Sequence, residues 1–340
     1  MLTIQEHVNL QHFNTFGIQA FAQYFITVNS VDDVQQFIQT PVFREQRHLI
    51  LGGGSNLLLT QDFHGLVIKN NIKGIEVVQE DADHITLKAG GGENWHAFVI
   101  FCVEHHWGGI ENLSLIPGSV GAAPIQNIGA YGVEIKDRIE SVEVIDLKDG
   151  SVRSFNKQAC NFGYRESIFK QTHRDRFFIS SVTLTLTKRN HHYNTSYGLI
   201  TDVLREKGIT NLSVKAISDA VIQIRQSKLP DPSRIGNAGS FFKNPSITPD
   251  VLESLSRDNP SIPSYPGENG LVKISAAWLI EQCGWKGKTF NSIGVHQHQA
   301  LVLVNYGGGS GEDIWQLAMN IQASVKEKFN ITLQPEVNVV

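Results

Sequence analysis

Five places in the 340-residue chain carry residue types that could do chemistry. Gly52-Gly53-Gly54-Ser55-Asn56-Leu57 follows a short apolar run, and Ile116-Pro117-Gly118-Ser119-Val120-Gly121-Ala122 opens a stretch to Gly132 holding four glycines and three alanines. Backbone left bare in this way lets N–H groups approach a pyrophosphate or a flat ring. A tight irregular connection with glycine at positive φ accounts for the same residues. Arg225, Lys228, Arg234 and Lys243 stand against the single acid Asp231 in a region of nineteen residues. Such an island can neutralise a diphosphate, or it can be a solvated helix end and loop. Inside it Ser240 follows Gly236-Asn237-Ala238-Gly239 and precedes Phe241-Phe242. Its hydroxyl could donate a proton in a water-poor cleft, or simply close a turn. Tyr164-Arg165 and Pro335-Glu336 add a guanidinium and a carboxyl, each with less standing alone.

Composition removes several other chemistries. With 29 Lys and Arg against 33 Asp and Glu, the net charge is −4, so there is no global basic field to hold nucleic acid or an anionic membrane. Hydrophobic residues are 41% and charged residues 18%, which excludes disorder by charge excess. Cys102, Cys160 and Cys283 are odd in number and far apart, against both a disulfide framework and a CxxC metal site, and no metal is expected. The first fourteen residues lack the basic end and apolar stretch of a secretory signal, and no apolar run approaches the roughly 18 residues needed to span a bilayer. A cytoplasmic location is the expectation. Gly287-Lys288-Thr289 fails as a phosphate-binding loop because Gln282 stands where the leading glycine belongs. Leu57 breaks the dinucleotide fingerprint begun at Gly52 and Gly54.

The elements that must position these residues can be read from periodicity. A strand is expected over 24–28, then a helix over 31–39 capped by Ser30, and a strand over 48–51 running into the first glycine loop. Trp95, Phe98, Val99, Cys102, Val103 and His106 recur at helical spacing after Gly90-Gly91-Gly92. Alternation over 178–186 predicts a long half-buried strand, and Ser213 caps a helix that Pro230 ends. A helix is expected over 274–283, a strand over 300–305, an amphipathic helix through Ile314, Leu317, Ala318, Ile321 and Val325, and a last strand over 331–333. The sum is an α+β fold in several layers.

Taken in order, Gly52-Gly53-Gly54-Ser55-Asn56-Leu57, the 117–132 stretch, Gly163-Tyr164-Arg165-Glu166-Ser167, Lys228-Leu229-Pro230, Gly239-Ser240-Phe241-Phe242-Lys243-Asn244-Pro245 and Pro335-Glu336-Val337 resemble the UDP-N-acetylenolpyruvoylglucosamine reductase family. Six motifs in register over nearly the whole chain carry this resemblance. Tyr197-Gly198 after the long strand resembles the family's longer form, with an extra tyrosine-bearing loop. The resemblance implies the FAD-binding fold of the vanillyl-alcohol oxidase type: two α+β subdomains, at 1–67 and at 68–214 with the 330–340 strand, and a third α+β substrate-binding domain at 215–329. It implies non-covalent FAD, NADPH as hydride donor and UDP-N-acetylglucosamine enolpyruvate as substrate, in a monomer. By the same likeness Gly52 through Leu57, Ile116 through Ala122 and Arg225 would hold FAD. Tyr131, Tyr164, Tyr197, Lys228, Asn244 and Gln299 would contact the UDP-sugar. Arg165 would stabilise the enolate, Ser240 would give the proton, and Glu336 would act protonated or through a water. Two other readings are a flavin oxidase or dehydrogenase of the same fold acting on an alcohol or hydroxy acid, and a non-catalytic nucleotide-binding module.

Overall fold

The computed structural model describes residues 2–196 and 198–340. In chain order, β1 (Gln5–Asn9) and β2 (Phe21–Val28) precede α1 (Val31–Phe37) and α2 (Pro41–Glu45). Next come β3 (His48–Leu51), β4 (Leu57–Leu58), β5 (Phe63–Asn70), β6 (Ile75–Glu80), β7 (His84–Gly90) and α3 (Trp95–Glu104). After the second glycine-rich stretch follow β8 (Gly129–Ala130), β9 (Val133–Glu134), β10 (Ile139–Asp146), β11 (Val152–Asn156), β12 (Phe177–Thr187), α4 (Gly198–Glu206) and α5 (Val214–Lys228). The remainder is β13 (Gly236–Ser240), β14 (Ser246–Ile247), α6 (Pro249–Asp258), β15 (Ser264–Pro266), β16 (Val272–Ile274), α7 (Ala276–Gln282), β17 (Thr289–Phe290), β18 (Ile293–Val295), β19 (Val302–Asn305), α8 (Gly311–Phe329) and β20 (Asn338–Val339).

These elements form two compact units, and neither is one continuous piece of chain. The first gathers residues up to 8, 22–53 and 64–227; the second gathers 9–21, 54–63 and 228–340. In the first unit a sheet of order β1-β2-β5-β3 packs against α1 and α2 through Ile26, Val28, Val34, Phe37 and Phe43. A second sheet, β11-β10-β12-β7-β6, buries one face of β12 against α3 through Val182, Leu184, Phe98, Val99 and Cys102. Ile200 and Leu204 of α4 close on Ile217, Ala220, Val221 and Ile224 of α5, so α5 is packed as part of the first unit up to Ser227. In the second unit the sheet β13-β19-β18-β17 forms one layer, and α7 and α8 are packed on one another. Among the described residues no helix is long and apolar enough to cross a membrane.

Local signals explain most element ends. Ser30 accepts from the Asp33 N–H to start α1, Asn94 from Ala97 to start α3, Ser213 from Ala216 to start α5, and Ser310 from Asp313 to start α8. Two expectations need correction. Ile274 ends β16, and the helix begins only after Ser275, whose hydroxyl accepts from Trp278 N–H. Residues 331–333 form no strand, although Ile331 and Leu333 are buried; they bury side chains without a ladder, and Gln322 Nε2 takes the Leu333 carbonyl instead. The strand at this end is β20, five residues beyond Leu333, parallel to β4 with Asn338 opposite Leu57.

Candidate functional site

The two glycine-rich stretches meet inside the first unit. A Cβ on Gly53 would lie 2.6 Å from Gly118 Cα, and one on Gly52 would lie 2.5 Å from Ser119 Oγ. Only bare backbone allows this approach. The 115–122 loop is tied to the start of α3 at three points: Trp95 N–H donates to the Gly118 carbonyl, Val120 N–H to the Glu93 carbonyl, and Leu115 N–H to His96 Nδ1 at 2.9 Å. Gly121 N–H reaches the Gly91 carbonyl, so the glycine turn before α3 forms the floor beneath it. Lys69, half-buried on β5, donates to the Gly52 carbonyl; burial lowers its pKa from the usual lysine value, with Lys73 adding to the effect. Sequence reading passed over Lys69, since a single lysine near a strand end carries no signature.

Arg225 lies on α5 with Nε donating to the Leu115 carbonyl at 3.2 Å and its guanidinium hydrogen-bonded to Tyr131. Burial pulls its pKa down and the Tyr131 hydroxyl works against that. The side chain stays cationic because guanidinium holds its proton in any protein setting. Among the described residues no carboxylate pairs with it. A partly desolvated cation beside a bare-backbone loop suits an electron-rich or anionic ligand, and the paired glycine loops leave the room a Cβ would fill, so these residues fit FAD.

A second cluster in the same unit presents Arg165. Gly163 and Glu166 exchange backbone hydrogen bonds at 3.0 and 3.2 Å, leaving Tyr164 and Arg165 at the tip of a tight turn. Arg165 Nη2 donates to the Gly129 carbonyl at 2.9 Å, and its guanidinium carbon stands 5.4 Å over the Tyr164 ring. Fully buried Asn127 braces the turn: Nδ2 donates to the Gly163 carbonyl and to Glu134 Oε2, both at 3.0 Å, and Oδ1 accepts from Lys136 N–H. Ser167 Oγ adds a bond to the Ile125 carbonyl. The 117–132 stretch and the 163–167 motif are therefore one assembly.

Backbone strain marks the same places. Twelve described non-glycine residues have φ in the left-handed region; setting aside Asn, Asp and His leaves Leu115 (φ 58°), Tyr131 (φ 50°) and Arg165 (φ 57°). Large side chains there cost about 1 kcal/mol or more each and persist only where surroundings hold them. Each of the three has its carbonyl held by a side chain: Leu115 by Arg225, Tyr131 by Asn112, Arg165 by Lys170.

The second unit carries the other candidates. Ser240 ends β13 after a register shift that includes Gly239 at φ 69°, and pairs with Val302. The next residues lie between two segments: Phe241 N–H donates to the Leu301 carbonyl, Glu336 N–H donates to the Phe241 carbonyl, and Lys243 N–H donates to the Gln334 carbonyl. Ser240 and Glu336 are thus brought to neighbouring backbones, while Arg165 belongs to the first unit. Asn56 Nδ2 donates to the Glu336 carbonyl and fixes that segment from below. Asn244 Oδ1 accepts from Ala276 N–H at 3.0 Å. Gln299 Oε1 bonds the Leu301 amide. Lys228 is exposed, and Leu57 is buried in β4. Gly54, at φ 63°, passes so close to Phe13 that a Cβ would sit 2.8 Å from its carbonyl carbon. Tyr197 lies outside the described residues.

Comparison with known proteins gives consistent matches. A description of an FAD binding domain matches residues 22–156, and one of the UDP-N-acetylenolpyruvoylglucosamine reductase C-terminal domain matches 231–340. The chain is 51% identical over 339 residues to the UDP-N-acetylenolpyruvoylglucosamine reductase of Amoebophilus asiaticus and 47% identical to that of Flavobacterium johnsoniae, covering 100% of each chain in both comparisons. The crystal structure of the Thermus caldophilus reductase overlays with a TM-score of 0.69 at 22% identity, covering 100% of this chain and 99% of that one, a likeness of fold.

Proposed function

The chain belongs to the UDP-N-acetylenolpyruvoylglucosamine reductase family, and from that membership we propose how its own side chains divide the reaction. It is an FAD-dependent oxidoreductase of peptidoglycan precursor synthesis, with NADPH as reductant. The observation that carries this is the match along the whole chain, at 51% identity, to a reductase of this family, with the six motifs in order. FAD, when bound, would supply the hydride chemistry, carrying reducing equivalents from NADPH to the methylene carbon of the enolpyruvyl ether.

The protein's part is binding, charge stabilisation and proton delivery. Gly52 through Leu57, residues 116–122 and Arg225 would hold the cofactor, the glycines offering it bare backbone and the guanidinium a positive charge. Arg165 offers a planar fork to the substrate carboxylate, where negative charge grows as the adjacent carbon becomes an enolate. The braced, strained turn at Arg165 supports this, because a preorganised donor gives up little in reorganisation when charge appears. Ser240 hands a proton to that carbon, and Glu336, on the neighbouring backbone, joins it at the substrate. Tyr131, Tyr164, Tyr197, Lys228, Asn244 and Gln299 bind the nucleotide sugar. The protein works in the cytoplasm as a monomer, its cofactor subdomains at 1–67 and at 68–214 with the 330–340 strand and its substrate domain at 215–329, the helix α5 at that last boundary packing with the first unit.

The test is anaerobic. Protein reduced with NADPH should regain its oxidised flavin absorption when the enolpyruvyl nucleotide is added. Flavin that stays bleached with the sugar but recovers in air would make the protein a flavin oxidase instead.

A further inference from the structure

Leu115 is the last residue before the 116–122 loop, and both of its backbone groups are held by side chains. Its N–H donates to His96 Nδ1 at 2.9 Å and its carbonyl accepts from Arg225 Nε at 3.2 Å. The residue sits at φ 58°, a conformation leucine does not keep unaided. Accepting an N–H requires a lone pair on Nδ1, so the ring must be the neutral Nε2–H tautomer. The other ties between loop and α3 are backbone bonds at Gly118 and Val120, indifferent to pH in the working range. His96 is therefore the one titratable tie among these.

We propose that His96 is a positioning residue for cofactor binding: as a neutral acceptor it completes, with Arg225, the clamp on Leu115 that aims residues 116–122, and protonation releases the loop. This rests on the reading of that loop as the FAD cradle. Burial and then the Arg225 charge lower the His96 pKa, so the acceptor form prevails near neutrality. Arg225 is the charged group acting on it from α5. The loop itself has no ionisable side chain, and Glu93, just before α3, is occupied by Lys73 and by the Gly74 N–H. The sign follows from the depressed pKa. Above the ordinary histidine value of 6.5 the clamp is intact; as pH falls below it, a state that frees the ring takes up the proton first.

The test reads FAD release from diluted holoenzyme by its fluorescence, from about pH 8 to about pH 5.5, in wild type, His96→Asn and His96→Ala. Asparagine places an oxygen near the Nδ1 position and does not titrate. Wild type should lose about tenfold in affinity on acidification; His96→Asn should match it at the alkaline end within about threefold and stay flat; His96→Ala should be weak throughout. An alanine variant that does not fold leaves the wild-type and asparagine pair to decide. Tight FAD binding with a flat wild-type profile, or an asparagine variant that weakens in acid as wild type does, overturns the proposal alone. A wild-type protein that binds no FAD at the alkaline end overturns the flavoenzyme reading with it.

Discussion

Replacing Asn127 by alanine separates bracing from chemistry more cleanly than changing Arg165 itself. Asn127 is fully buried and makes three side-chain hydrogen bonds, one to the Glu134 carboxylate and two to backbone groups of Gly163 and Lys136. A charge-assisted bond contributes about 2 kcal/mol and each neutral one about 1 kcal/mol, so their loss should cost about 4 kcal/mol. The residue also lies at φ 44°, where alanine adds about 1 kcal/mol of strain that glycine avoids. Asn127→Gly should therefore be more stable than Asn127→Ala by about 1 kcal/mol, the reverse of the usual order for these two residues. Urea midpoints followed by circular dichroism measure this. In both variants the Gly163 carbonyl loses its tether, the Arg165 turn shifts, and kcat should fall on the order of 10²-fold while flavin absorbance is retained. An alanine variant within about 0.5 kcal/mol of wild type, or more stable than the glycine variant, or with an unchanged kcat, refutes the argument.

Ser240→Ala should leave NADPH oxidation by the bound flavin nearly intact and slow enolpyruvyl reduction by roughly 10²-fold or more; stopped-flow traces showing equal losses in both half-reactions remove the serine from proton delivery. Arg165→Lys keeps the charge and loses the fork, so kcat should drop about 10²- to 10³-fold; wild-type turnover would deny it a bidentate role. Gly53→Ala brings a methyl to 2.6 Å from Gly118 Cα, and the purified protein should lack the yellow of bound flavin; a fully loaded variant means the two loops part easily.

Much of this was legible in the residues because glycine, proline and capping side chains report local geometry. The contact of Gly53 with Gly118 is the physical reason both stretches are glycine-rich, and the Ser30 and Ser213 caps stand where side chains alone could place them. What stayed hidden depends on distant partners. Leu115, Tyr131 and Arg165 occupy positions where local statistics ask for glycine or asparagine; Arg225 and Asn112 hold the first two from elsewhere in the chain, and the nearby Lys170 holds the third. Asn127 was visible only as one letter in a glycine-rich run, and His96 lies off the apolar face that the helical spacing picks out. Residues 331–333 read as a strand because they alternate, yet burial without a ladder partner produces the same pattern.

The interleaved makeup of the second unit limits how the gene can be cut. Residues 231–340 look like a portable module by family likeness, but Asn305 Nδ2 reaches the Phe16 carbonyl, Asn237 N–H the Thr15 carbonyl, and β20 lies along β4 with Thr60 N–H on the Val340 carbonyl. Expressed alone, that fragment would expose a raw strand edge and orphaned donors, and should clump in the test tube. On the ribosome the first fragments of this unit emerge more than two hundred residues ahead of their partners. They must wait unpaired through most of synthesis, so chaperone demand should rise sharply if translation stalls late.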